Sequence, residues 1–217
     1  MRRCNIFKLE IGPLVVKKEK QKMTSENSLK VIGFGSEKDA EIVSKGVNNA
    51  VVGLSQMAGR DIKVLNMKIN KVPVKDITNL FGGPEALIIA VYLEISGNTN
   101  GYMVVVYEPN VAFELVDMLM GQPNGTTKEL SDMVRSALGE VGNIMGSFFL
   151  NYLSDTTGQR FQPSPPAVMM DMAGAVLDAT LANILAYSDE TYVMEAIFGT
   201  NDRQVSGTFL VLPNPNQ

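Results

Sequence analysis

The stretch LSDMVRSALGEVGNIMGSFFLNYL, Leu130 to Leu153, places apolar residues at Met133, Val134, Leu138, Val141, Ile144, Met145, Phe148, Phe149 and Tyr152. Steps of three and four are the period of a helix with one buried face, so the segment predicts a long helix. Ser131 or Thr127 stands where a capping residue is expected. Ser136, Glu140 and Asn143 follow at i, i+4 and i+7. At about 100° per residue these three fall within roughly 60° of one another and form a single polar stripe. Pro166 comes after Asn143 with 22 residues between them. Taken alone, a Glu and an Asn on a helix are a solvated face. Here they sit among glycines at 139, 142 and 146 and at a fixed distance from a proline.

The elements around this helix occur twice. Glu37 to Ala58 is a second amphipathic helix, with Ile42, Val43, Val47, Val51, Val52, Leu54 and Met57 as apolar positions and Gly59 to stop it. Asp61 to Ile69 predicts a strand in which Ile62, Val64 and Met67 share a face only if a bulge or slip precedes Met67. Val74 to Phe81 reads as a short helix ending at Gly82-Gly83-Pro84. Ala86 to Ser96 and Tyr102 to Glu108 read as strands joined by a Gly97-to-Gly101 loop, and Val111 to Met120 as a short helix. After a polar linker, the order returns: a long helix over 128–156, a strand at Arg160 to Gln162, Pro163 to Pro166, a short helix near Met172 to Leu185, and strands at Thr191 to Phe198 and Gln204 to Leu212. Glu41 and Glu140 stand 99 residues apart at equivalent places in the two helices. A duplicated α-β-α-β-β unit is expected, its strands pooled into one antiparallel sheet with the long helices on one side, an α+β layered domain. The first repeat covers about 31–121 and the second about 128–212.

The bulk properties narrow the chemistry. A chain of 217 residues with 45% apolar and 19% charged residues is long enough for a core and ordinary in balance. There is no histidine and one cysteine, Cys4. That excludes Ser-His-Asp and Cys-His nucleophile systems, a phosphohistidine relay, Cys/His zinc sites and any disulfide within the chain. A reducing, cytoplasmic location is the simplest expectation. No run of 18 apolar residues occurs, so no membrane insertion is expected, and Lys8 and Glu10 make Met1 to Val16 a poor secretory signal. Residues 1–30 hold eight of the 19 Lys/Arg and three of the 23 Asp/Glu, so a basic extension precedes an acidic body. An acidic body argues against nucleic acid as a partner. The extension is expected to be disordered, and Met23, followed by Thr-Ser-Glu-Asn, would make a normal start of its own.

The pattern Ser136, three residues, Glu140, two residues, Asn143, 22 residues, Pro166 resembles the signature of the CheC/CheX/FliY phosphatases, which dephosphorylate the chemotaxis response regulator CheY. The resemblance spans about 31–212 and implies the same pseudo-twofold architecture. It implies that Asn143 orients the attacking water and that Glu140 contacts a lysine of the regulator near its phosphate. Ser136 would be a docking contact, and Pro166 would shape the loop under the helix. No cofactor of the chain's own is implied, because Mg²⁺ comes with the phosphorylated partner. Larger family members carry a site in each half. In the first half Glu41 matches, but Glu37 stands for Ser136, Ser44 for Asn143 and Met67 for Pro166. A serine lacks the long-reaching carbonyl and NH₂ of asparagine, so this first site is expected to be inactive. Asn48 and Asn49, one turn further on, are expected to serve solvation or helix packing.

The competing expectation is a binding module with little catalysis, since the family also includes flagellar-switch proteins and forms that pair with the receptor deamidase CheD. The chain ends at Gln217, soon after the second repeat, which favours the free-standing CheC type over a switch protein. Retention of Asn143 favours the phosphatase.

Overall fold

The computed structural model describes residues 37–98, 100–185 and 189–214. The basic extension, Met23 and Cys4 lie outside these residues. The elements follow the order α1 (Glu37–Ala58), β1 (Lys63–Pro73), a 3₁₀ helix (Val74–Phe81), β2 (Leu87–Gly97), β3 (Asn100–Tyr107), α2 (Pro109–Leu119), α3 (Asp132–Thr157), β4 (Phe161–Pro163), β5 (Ala167–Met172), α4 (Ala173–Leu185), β6 (Glu190–Gly199) and β7 (Gln204–Asn214). The first helix has the bounds its sequence pattern predicts. Ser131 caps α3 by accepting a hydrogen bond from the Val134 backbone N–H, and Gly158, at φ 71°, ends it in the left-handed conformation.

All strands form one antiparallel sheet in the order β1-β6-β7-β3-β2-β4, with β5 also paired to β2. That order is a palindrome. Each half contributes a hairpin, β2–β3 or β6–β7, the two hairpins meet at β3–β7, and the first strand of each half crosses to the outer side of the other half's hairpin. The duplicated unit is therefore interlocked rather than set side by side.

Both edge strands carry one extra residue at the same place. In β1 the register slips between Val64, paired with Phe198, and Asn66, paired with Ile197. This is the bulge that brings Met67 onto the face of Ile62 and Val64. In the second half Pro163 pairs with Ile95 and Ala167 with Tyr92, which again leaves one residue over. A bulge on an edge strand is where prolines are tolerated, because no further strand needs their missing N–H.

The two long helices pack together on one face of the sheet. Their buried side chains, with those of α2, join the inward residues Ile89, Val91, Leu93, Met103, Val105, Met194, Phe198 and Phe209 in the larger core. Gly46 of α1 leaves room for Phe149 of α3: a Cβ there would lie 2.7 Å from the ring. At the crossing the Asn49 amide donates to the Phe148 carbonyl at 2.6 Å, and the two residues are 99 apart, so they face each other across the pseudo-twofold axis. Asn49 thus has the packing role, while Asn48 donates to the Ser44 carbonyl one turn back, at 3.0 Å. Fully burying a Phe or Leu contributes about 1.5–3 kcal/mol, and Phe149, Leu54, Leu138 and Leu153 all lie in this layer.

The opposite face is covered as well. The 3₁₀ helix and α4 bury Val74, Ile77, Leu177, Leu181 and Ile184 against Ile88, Ala90, Val104, Val106, Leu210 and Leu212. Alternation along each strand divides the side chains between the two layers, as the pleat requires. Strand β5 has no counterpart among the expected elements. Its sequence Ala-Val-Met-Met-Asp-Met shows no clean alternation and follows three prolines, so pairing with β2 rather than local preference makes it a strand.

Candidate functional site

The exposed side of α3 is built from its turn geometry. Val134, Leu138, Val141, Met145 and Phe149 turn inward, which leaves Ser136, Glu140 and Asn143 exposed on the outer stripe. Beside the stripe lies an open cleft of about 370 Å³, with Gly139, Glu140 and Asn143 on the helix side and Pro163 to Pro166 on the other. Glu140, Asn143 and Pro166 are thus brought to one place. Ser136 lies a turn away from the cleft on the same stripe.

A glycine decides how closely the helix approaches. A Cβ on Gly142 would stand 2.3 Å from Val91 Cγ1 and 3.3 Å from Pro166 Cβ. Real contacts do not come that close, so only glycine lets α3 sit down on β2 and against the proline wall. Arg135 adds a tie along the same edge, its guanidinium donating to the Val168 carbonyl. The wall itself is held by Ser164. Its N–H donates to the Glu94 carbonyl at 2.8 Å, and its hydroxyl accepts from the Glu94 N–H at 3.0 Å.

The same place in the first half is closed. Ser44, 99 residues before Asn143, is 5% exposed, and Met67, the counterpart of Pro166, is 6% exposed. The two touch, with the Ser44 hydroxyl donating to the Met67 sulfur at 3.1 Å. The long thioether fills the volume that in the second half is open between Asn143 and the prolines. Val43 replaces Gly142 and is buried in the core. Glu41 remains exposed but is paired with Lys45 at 2.8 Å, and the hydrogen bond from Lys45 with the carboxylate's charge raises the lysine pKa. The second half has Ile144 where Lys45 stands, and among the described residues Glu140 forms no ion pair. The Glu37 side chain, counterpart of Ser136, lies outside the described residues.

Chemically, the cleft offers an amide that can both donate and accept, an exposed carboxylate, and a rigid apolar wall. Among the described residues no three Asp, Glu or Cys side chains gather where they could hold a metal ion, and no helix is long and apolar enough to cross a membrane. Sequence reasoning finds Glu140, Asn143 and Pro166 but passes over Gly142 as a packing residue, Ser164, and the Glu41–Lys45 pair. Lys45 was legible, because Glu and Lys at i and i+4 face each other on a helix. Ser164 was not, because its role exists only across the strand pair.

The model of the CheC-like family matches residues 133–170, a span that contains Ser136, Glu140, Asn143 and Pro166. CheY-P phosphatase CheC of Bacillus subtilis (strain 168) is 26% identical over 167 residues, which cover 76% of this chain and 80% of that protein. The crystal structure of Thermotoga maritima FliY superposes with a TM-score of 0.65 at 20% identity, over 82% of this chain and 91% of that one. A chain of the FliG–FliM complex from H. pylori shares the fold at a TM-score of 0.56 and 11% identity, over 83% and 95% of the two chains. The resemblance to the CheC/CheX/FliY family is borne out, and so is its α+β fold.

Proposed function

We propose that this chain hydrolyses the aspartyl phosphate of a CheY-type response regulator, working at the cleft beside α3. The observation that carries the reading is the pairing of an exposed Asn143 and Glu140 with the Pro163–Pro166 wall, inside the span that matches the CheC-like family. The fold by itself does not decide between enzyme and adaptor, since one fold serves both. The relative in Bacillus subtilis is a CheY-P phosphatase, which supports the enzymatic reading.

An acyl phosphate is already activated, so the chemistry asks chiefly for a water held in line with phosphorus and for stabilised charge on the equatorial oxygens. The Asn143 carbonyl accepts from the water and its NH₂ donates to a phosphoryl oxygen. The metal that neutralises the phosphate belongs to the regulator and arrives with it. Glu140, which forms no ion pair among the described residues, pairs with a lysine of the regulator, and a charge-assisted bond shielded by the docked surface is strong enough to orient the two proteins. Ser136 extends that contact along the stripe. The half around Ser44 takes no part in turnover.

The test follows loss of acyl phosphate from labelled CheY-type regulator in Mg²⁺, with and without this chain. Acceleration at substoichiometric protein is the expected result. Tight binding without acceleration would make the chain an adaptor, the role in which the regulator or the deamidase CheD is bound and not transformed.

A further inference from the structure

Residues 163–166 contain three prolines, so Ser164 supplies the only backbone N–H of the cleft wall. Everything that the wall can donate to β2 passes through this one residue. Its N–H bonds the Glu94 carbonyl at 2.8 Å, its hydroxyl receives the Glu94 N–H at 3.0 Å, and the same hydroxyl donates to the Pro165 carbonyl at 3.0 Å. Ser164 also lies in the stretch between Pro163 and Ala167 where the strand takes up one extra residue, and a bulge interrupts the regular ladder there. Its counterpart in β1 is Leu65, a side chain with no hydrogen-bonding atoms that stands 46% exposed. In the first half no cleft needs to be held open. In the second, the wall stands against Gly142, next to Asn143.

From this geometry we infer that Ser164 is a positioning residue: it clamps the proline wall to Glu94 and so fixes the width of the cleft opposite Asn143. The inference rests on the phosphatase reading for its consequence, though the clamp itself can be measured separately. A water held in line tolerates little displacement, and an error of about 1 Å costs up to about a hundredfold in rate. Loss of one of two ties moves the wall by less. Ser164→Ala should therefore lower turnover at saturating phosphorylated regulator about five- to tenfold, with half-saturation changed less than about twofold. Ser164→Thr, which keeps the hydroxyl, should recover turnover to within about twofold of the original chain. Ser96→Ala is the control: it removes a hydroxyl that ties β2 to the Gln162 carbonyl at 3.3 Å on the same edge, outside the cleft. It should leave turnover unchanged. Hydrogen exchange supplies a readout independent of catalysis, and the Glu94 amide should exchange about tenfold faster in Ser164→Ala.

Unchanged turnover in Ser164→Ala, equal loss in Ser96→Ala, no recovery with threonine, or weakened half-saturation at intact turnover would each overturn the positioning role. Unchanged exchange at Glu94 would overturn the clamp. Absence of turnover in the original chain would overturn the phosphatase reading, and the exchange measurement would then decide the clamp by itself.

Discussion

The two halves of this molecule share a fold, an edge-strand bulge and a glutamate at the same place on a long helix, yet among the described residues the place that is a cleft in one is filled in the other. Between Asn143 and Pro166 the surface is open; between Ser44 and Met67 it is filled by the methionine side chain, whose sulfur accepts the serine hydroxyl. A few side chains account for the difference. Glycine at 142 admits the helix to the sheet where Val43 packs in the other half, and prolines replace a flexible thioether. Among the described residues Glu140 forms no ion pair, whereas Glu41 is occupied by Lys45. A duplicated scaffold can thus keep its backbone symmetry while one copy becomes core, because packing tolerates exchange of side-chain volume so long as the space is filled.

The largest effect expected is at the amide. Asn143→Ala should reduce turnover at least about tenfold and leave affinity for the phosphorylated regulator nearly intact, since a group that orients water acts in the transition state. Measured by single-turnover loss of acyl phosphate, the comparison breaks if affinity collapses while turnover at saturation survives. Ser44→Ala in the other half should leave turnover as it was.

Next in size is the contrast between the glutamates. Glu140→Ala should remove most of the activity by weakening half-saturation, whereas Glu41→Ala should change it less than about twofold, since an exposed i,i+4 pair contributes little even to stability. Equal losses from the two would show that the first half also engages the regulator.

The smallest effect concerns the joint between the halves. Asp117, buried near the end of α2, accepts from the backbone N–H groups of Thr126 and Thr127 at 2.9 and 3.0 Å and from the Thr127 hydroxyl at 2.6 Å, which folds the linker back toward the start of α3. Burial works to raise its pKa, but the Thr127 hydroxyl and the backbone N–H groups of Thr127, Thr126 and Gly125 together outweigh burial and hold it below the usual carboxylate value. A carboxyl depressed on folding stabilises fully above its unfolded pKa of about 4 and loses that stabilisation as pH falls through the folded value. Asp117→Asn should cost about 1–3 kcal/mol in urea denaturation at pH 7. It should also show a shallower loss of stability than the original chain as pH falls below about 4. Parallel curves for the two proteins would mean that the carboxylate adds nothing to the joint.

The sequence by itself determined the elements and the motif. Helical and strand periods report which residues are buried along a single segment, so α1, α3, the two hairpins and the need for a bulge before Met67 were all legible, as were Glu140, Asn143 and Pro166 from their spacing. Tertiary structure alone decided the rest. The crossing of β1 and β4–β5 to the opposite hairpins depends on pairings between residues far apart in the chain, such as Lys63 with Gly199 and Leu87 with Met172, to which no local pattern is sensitive. Strand β5 exists because β2 offers it partners. The closed state of the first half required Met67 to meet Ser44, and the open state of the second required Gly142 to bring a helix onto Val91. Each of these is a matter of volume and hydrogen bonds between residues distant in the chain, and such contacts have no period along the sequence by which they could be read.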